Sequence, residues 1–330
     1  MKNGLLLINL GTPDHCTPAA VKRYLREFLA DKRVIDLPAP LRYLILHTLI
    51  LPFRPKQAAH AYKAIWDKEG SPLLINSRKL QTKLQCRLGE EYKVVLGMRY
   101  GNPSISEALD EVNDCERLTV LPLFPQYSSA ATGSAIEKLL KLLATQKSIP
   151  TLTVIRDFYH HPGFIKAQAA LIEPYLASHD YLLFSYHGIP ERHLAHHGCQ
   201  TVCANSCPPI TQSNQVCYKA QCYMTTRELV RQLNLTKEQY GMAFQSRLGK
   251  TPWIKPYTDA LLPKLAQQGI KRVAIACPSF VADCLETLEE IGIRAKEQWQ
   301  RLGGVQLSLI PCLNDTDLWV TGLIEILKNK

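Results

Sequence analysis

The sequence predicts an α/β protein of two similar lobes, each a four-stranded parallel sheet flanked by helices. Three observations lead there. Short apolar, β-rich runs alternate with helical patterns, as parallel strands joined by crossover helices require. The runs divide evenly, four to each half of the chain. The length of 330 residues also exceeds the size at which one hydrophobic core usually suffices.

In the first half the strands are expected at 5–9, 93–96, 118–123 and 151–155. In the second they are expected at 181–186, 241–244, 272–276 and 305–310. Leu5-Leu6-Leu7-Ile8-Asn9 is apolar up to one polar exit, the pattern of a strand buried on both faces. Leu182-Leu183-Phe184-Ser185-Tyr186-His187 has the same character, and Gly188 and Pro190 end it sharply. Faint echoes relate the halves: Gly11-Thr12-Pro13 and Gly188-Ile189-Pro190 follow the first strand of each. The first lobe is assigned 1–155 together with a C-terminal helix at 315–330. The second takes 156–314, with a cysteine-rich insertion at 196–222. Ser134 and Glu137 match a capping box at one helix start.

Composition narrows the function. With 46% hydrophobic and 21% charged residues the chain is an ordinary globular protein. Its formal charge of +10 is spread along the chain with no basic run interleaved with aromatics, which argues against nucleic acid. An anionic small molecule or an acidic membrane surface suits that charge better. No glycine loop of the dinucleotide or P-loop kind is present, so the strand–helix alternation is no evidence for a nucleotide. The start of the chain has no secretory pattern, and a cytoplasmic location with thiols kept reduced is expected. The apolar stretch at 44–53 contains His47 and Pro52 and cannot span a bilayer. Flanked by Arg42, Arg54 and Lys56, it either packs in the core, lines a cleft or lies on the inner face of a membrane.

His187 stands where the chain leaves a sheet, the position at which open α/β folds present chemistry to a ligand. A histidine ordinarily titrates at about 6.5 and serves as a base or, when neutral, as a metal ligand. A second strand, about ninety residues on, leads to Asp283-Cys284-Leu285-Glu286-Thr287-Leu288-Glu289-Glu290. On one helix Asp283, Glu286 and Glu290 share a face, and their mutual repulsion would raise at least one pKa. The plainer reading is a capping box, with Asp283 as N-cap and Glu286 reaching back. Arg99 either pairs within the fold or binds a substrate carboxylate.

The strongest local signal is thiol-rich. Cys199, Cys203, Cys207, Cys217 and Cys222 fall in the pattern C-x3-C-x3-C-x9-C-x4-C. Four thiolates can hold a [2Fe–2S] cluster, whereas zinc sites more often show C-x2-C pairs. A metal centre is the expectation, iron–sulfur ahead of a structural Zn2+, with a loop of free thiols as the remaining reading.

Taken together these residues resemble the ferrochelatases, which insert ferrous iron into a porphyrin to make haem. The resemblance runs nearly end to end, through Asn9-Leu10-Gly11-Thr12-Pro13, Gly70-Ser71-Pro72-Leu73 and Leu121-Pro122-Leu123-Phe124-Pro125-Gln126-Tyr127-Ser128. It continues through Ser185-Tyr186-His187-Gly188-Ile189-Pro190, Phe244-Gln245-Ser246-Arg247 and the segment from Cys277-Pro278 to Leu288. It implies two Rossmann-like lobes of chelatase type around a porphyrin cleft, with Fe2+ and protoporphyrin IX as substrates. His187 and Glu286 become the active-site pair, for protons and for the incoming Fe2+, with Asp283 and Glu290 passing charge away. Tyr62 and Arg99 would line the cleft, Arg54 would meet a propionate, and residues 44–53 would form a lip able to touch a membrane peripherally. Some family members hold a [2Fe–2S] cluster on C-terminal cysteines plus one in the loop after Pro-Gln-Tyr. Ser129 occupies that loop position here. Residues 196–222 instead resemble the internal insertion through which other bacterial members bind a cluster, and the resemblance implies that site. Cys199, Cys203, Cys207 and Cys217 are the expected ligands, with Cys222 as replacement. Alternatives left open are coproporphyrin as substrate, cobalt as metal, and a tetrapyrrole carrier or redox sensor; the oligomeric state is not legible.

Overall fold

The computed structural model describes residues 3–195, 203, 207–249 and 251–328. The chain forms two compact units, Met1–Phe124 with Ser128–Asp157, and Pro125–Tyr127 with Phe158–Lys330.

The first unit holds β1 (Asn3–Gly11), β2 (Tyr92–Tyr100), β3 (Arg117–Pro122) and β4 (Thr151–Val154). They form one sheet in the order β2-β1-β3-β4 with every pairing parallel. The second unit holds β5 (Tyr181–His187), β6 (Tyr240–Gln245), β7 (Arg272–Ala276) and β8 (Gln306–Leu309). Its order, β6-β5-β7-β8, repeats the first, again all parallel. The predicted two-sheet α/β class is therefore the observed one.

Each sheet is buried where its sequence is continuously apolar. In the first unit Leu6, Ile8, Val95 and Val120 pack with Ala135 and Leu139 of the helix Ser134–Leu143. In the second, Leu183, Ala243, Val273 and Ile275 pack with Leu262 and Trp299. At about 25 cal/mol per Å2 of apolar surface, such side chains dominate the favourable side of folding.

β1 and β2 run further than expected because pairing continues to Gly11 opposite Tyr100. Gly11 has φ 116°, and a Cβ there would lie 1.8 Å from the Tyr100 carbonyl oxygen, so only glycine fits. The extension also puts Arg99 inside the strand rather than after it.

Two expectations need correction. The C-terminal helix, Asp317–Lys328, belongs to the second unit and packs on the helix Pro162–Leu176. The contact is close: a Cβ on Gly163 would sit 2.7 Å from the Gly322 Cα. Nor do Ser134 and Glu137 form a capping box. The Ser134 hydroxyl instead donates to Asp31 at 2.5 Å, and Glu137 pairs with Arg33, Lys32 and Lys141. Capping boxes form instead at Ser104 with Glu107 and at Cys284 with Thr287.

The apolar stretch forms the end of the helix Ala39–Ile45 and a π-helical turn, Leu46–Ile50. Leu46 and Leu51 pack inward with Leu29, while Tyr43, Leu44, Leu49 and Phe53 are exposed, Phe53 to 72%. Among the described residues no helix is long and apolar enough to cross a membrane.

Candidate active site

His187 is the last residue of β5, opposite Gln245 at the end of β6. Its backbone is held on both sides. The N–H donates to Ser279 Oγ at 2.8 Å, and the carbonyl accepts from the Tyr218 hydroxyl at 2.7 Å. The next N–H, of Gly188, donates to the Gln245 carbonyl at 2.8 Å. A Cβ on Gly188 would lie 2.8 Å from that same oxygen, so glycine permits the approach. The imidazole sits near Phe280 and Trp253, with ring centroids 6.0 and 6.5 Å away. Its Nδ1 lies 2.5 Å from the Gly188 carbonyl oxygen. A carbonyl only accepts, so Nδ1 carries the proton and Nε2 is left with the free lone pair.

Gln245 is a hub. Its buried amide oxygen accepts from Ser185 Oγ at 2.6 Å, one strand position pair from His187, and from the Cys277 thiol at 3.5 Å. Its Nε2 donates to the Glu286 carbonyl oxygen at 2.6 Å. One side chain thus ties the histidine strand to the carboxylate segment. Ser246 follows with φ 64°, a left-handed backbone that costs a non-glycine residue energy. In that conformation its N–H and hydroxyl reach the two Glu290 oxygens at 2.8 and 2.6 Å.

The carboxylates do not share one helical face. The helix Leu285–Leu288 is short and is followed by a π-helical turn, Glu290–Ala295, which breaks the 3.6-residue spacing. Asp283 lies outside it, and Cys284 is the N-cap, its N–H donating to Thr287 Oγ1 at 3.0 Å. The Asp283 carboxylate accepts from the Cys312 N–H at 3.2 Å and from Asn314 Nδ2 at 2.8 Å. It is therefore spent on fastening the loop that precedes the helix, and is neither the cap of Glu286 nor its neighbour on a face. Glu290 is the carboxyl with a raised pKa, and the main cause is burial rather than repulsion among acids. Hydrogen bonds from Ser246 and the charges of Arg294 and His187 oppose that rise. Glu290 thus sits within electrostatic reach of His187, while Glu286 is half-buried beside the Cys284 thiol.

Three residues expected to touch porphyrin lie in the first unit. Tyr62 is buried in the helix Arg54–Ile65, edge-on to Tyr24 and Trp66. Arg54 opens that helix and is exposed. Arg99 is engaged within the fold: Nη2 meets Asp31 at 2.5 Å, Nε donates to Ser134 Oγ at 2.7 Å, and the guanidinium lies over the Tyr100 ring. Of its two readings, the structure realises the internal ion pair.

In the cysteine segment, Cys199 lies outside the described residues. Cys207, Cys217 and Cys222 are buried and Cys203 is half-buried. Burial, followed by the neighbouring Cys203 and Cys217, pushes the Cys207 thiol up to about 12. Lys219 Nζ, wholly buried, donates to the Cys203 carbonyl at 2.6 Å. Among the described residues no three His, Cys, Asp or Glu side chains surround a common ion position.

Sequence reasoning quoted Gln245, Ser246 and Ser279 only inside motifs and passed over Tyr218. The signal available was polar residues placed just beyond buried strands and between two cysteines, where an unpaired polar group would be costly.

Comparisons with known proteins identify the family. The ferrochelatase family model matches residues 2–330. A protein named ferrochelatase from Legionella pneumophila (strain Corby) is 59% identical over 330 residues, covering all of both chains. One of the same name from Coxiella burnetii (strain Dugway 5J108-111) is 52% identical over 334 residues, covering 99% of this chain and 93% of its own. Among solved structures, SirB from Bacillus subtilis with Fe3+ superimposes with a TM-score of 0.56 at 10% identity, covering 100% and 95% of the two chains. That likeness speaks for the fold alone. With a full-length family match and two relatives above half identity, the chain belongs to the ferrochelatase family.

Proposed function

We propose that this protein is a lyase that inserts Fe2+ into protoporphyrin IX to form protohaem, releasing two protons, with His187 and Glu286 as its reacting pair. The observation that carries this is the strand-end histidine whose Nε2 lone pair is left free by the Nδ1 contact to Gly188, placed within electrostatic reach of the half-buried Glu290 carboxyl. Metal entry requires both pyrrole N–H protons to leave. A neutral Nε2 takes one directly or binds the incoming ion, and in either role positive charge develops on or beside the ring. Glu290, whose affinity for a proton burial raises, and Glu286 are suited to accept and pass on that charge. Tyr62 is proposed to support the macrocycle and Arg54 to meet a propionate. Asp283 contributes by fixing the loop that carries Glu286.

The test is anaerobic incubation with Fe2+ and protoporphyrin IX, following loss of the free-base spectrum. Wild-type turnover with loss of about a hundredfold or more in His187→Ala is expected. Turnover near wild type in a folded His187→Ala variant refutes the assignment. Activity confined to coproporphyrin or Co2+ would redirect the substrate, and porphyrin binding without turnover would favour a carrier.

A [2Fe–2S] cluster on Cys199, Cys203, Cys207 and Cys217, with Cys222 as replacement, extends the proposal. Its support is chemical: soft thiols are drawn from one short segment, and burial with the neighbouring Cys203 and Cys217 pushes the Cys207 thiol up, a cost that a bound cation would offset. When bound, such a cluster would supply a one-electron redox centre. Iron with acid-labile sulfide in purified protein is the expected result; colourless protein holding only Zn2+ would replace it with a structural zinc. The exposed lip around Leu49 and Phe53, with Arg54 and Lys56 beside it, is proposed to rest peripherally on an anionic membrane.

A further inference from the structure

The His187 backbone is tied by a hydrogen bond to one helix of the cysteine segment. Tyr218 is the first residue of the helix Tyr218–Gln232, directly after Cys217. Its hydroxyl donates to the His187 carbonyl at 2.7 Å. Ser279 takes part from the opposite side: its hydroxyl accepts from the His187 N–H at 2.8 Å and lies beside the Tyr218 hydroxyl. The Cys222 thiol, one helical turn on, lies beside that hydroxyl. All four residues but Ser279 and His187 are buried to 4% exposure or less, so water does not substitute for a lost partner. The Tyr218 bond therefore joins the helix that follows Cys217 to the peptide that aims the imidazole.

We propose that Tyr218 is a positioning residue for His187, and that through it the orientation of the imidazole depends on the cysteine-bearing helix. The inference rests on the reading of His187 as the reacting residue. A hydroxyl bonded to the His187 carbonyl and packed beside Cys222 and Ser279 cannot shift without moving the carbonyl it holds. A displacement of the helix start, by loading or loss of its thiols, is then felt at the histidine. Displacements of about 1 Å can change turnover by as much as a hundredfold.

Tyr218→Phe removes only the hydroxyl and keeps the ring packed. The expected result is a fall of about tenfold or more in kcat with KM for porphyrin unchanged, and a moved His187 side-chain nitrogen resonance in porphyrin-free protein. Cys222→Ser should move that resonance in the wild-type background and leave it unmoved on top of Tyr218→Phe, because both act through one link. Should Tyr218→Phe fail to fold, Cys222→Ser alone reads the same link. An unmoved His187 resonance in folded Tyr218→Phe overturns the proposal, as do additive shifts in the double variant. Wild-type turnover in His187→Ala would instead overturn the reading of His187 itself, and the catalytic consequence drawn here with it.

Discussion

Replacing Arg99 by methionine separates a structural arginine from a substrate-binding one. The variant keeps the aliphatic stem and deletes the contact to Asp31 at 2.5 Å, the two Nε bonds to Ser134 and the stacking on Tyr100. Both partners are largely shielded, with side-chain exposures of 14% and 7%. Breaking such a pair from one side costs about 3–5 kcal/mol. Asp31 retains the Arg33 N–H, the Ser134 hydroxyl and the Tyr100 hydroxyl, so the lower end, about 3 kcal/mol, is expected. For a unit of this size that is roughly 6–12 °C in the Tm of the first unit. Thermal unfolding by circular dichroism, read with KM for porphyrin, is the assay. A Tm within about 2 °C of wild type together with a tenfold higher KM would refute the reasoning and return Arg99 to the substrate. The pH dependence follows from Asp31. Burial alone would raise its pKa, but hydrogen bonds from Ser134, Arg33 and Tyr100 and the charge of Arg99 outweigh it and hold it below 3.8. A depressed carboxyl stabilises the fold above its unfolded pKa, about 3.9, and loses that contribution as pH falls through the folded value. The gap between wild type and Asp31→Asn should therefore stay constant at neutral pH and narrow only in acid.

Other outcomes are as definite. Glu290 has the opposite sign: a raised carboxyl favours the fold below about pH 4.3 and ceases to as pH rises through its folded pKa. Glu290→Gln should accordingly gain stability relative to wild type between pH 4 and pH 8, measured by melts across that range; a flat difference would contradict the burial of the charge. Gly11→Ala, with its Cβ 1.8 Å from a backbone oxygen, should destabilise the first unit by about 3 kcal/mol or more and give little folded protein on expression. Phe53→Asp combined with Leu49→Asp should leave the Tm unchanged and lower sedimentation with anionic phospholipid vesicles about tenfold, since each exposed side chain loses its transfer energy. Undiminished sedimentation would remove the lip from any membrane role.

The central strands were legible because buried parallel strands are written as unbroken apolar runs, as in Leu5 to Ile8 and Leu182 to Phe184, and the edge strands Thr151–Val154 and Gln306–Leu309 because they carry β-rich alternation. The place of the C-terminal helix was not, since an amphipathic helix carries no address; only Gly322, a glycine in mid-helix, marked the close crossing with Gly163. At the site, His187 was readable from its position at a strand end. The fate of the acids was not. A spacing of three and seven assumes a regular helix, and the π-helical turn after Leu288 together with the claims of Asn314 and Cys312 on Asp283 dissolved that assumption. Arg99 illustrates the same limit, because its partner Asp31 lies 68 residues earlier and no local pattern links them.

The three residues Pro125–Tyr127 belong to the second unit although the chain on either side of them belongs to the first. Gln126 bonds Thr225 and the Pro278 carbonyl, and the Tyr127 N–H bonds Gln221. A gene cut after Asp157 would therefore not yield two intact halves. The downstream fragment would expose the side chains of Thr225 and Gln221 without their partners, and the upstream fragment would carry a stranded tripeptide with buried polar groups and no host. Such fragments should express poorly apart and gain solubility when produced together, a behaviour of woven chains rather than of beads on a string.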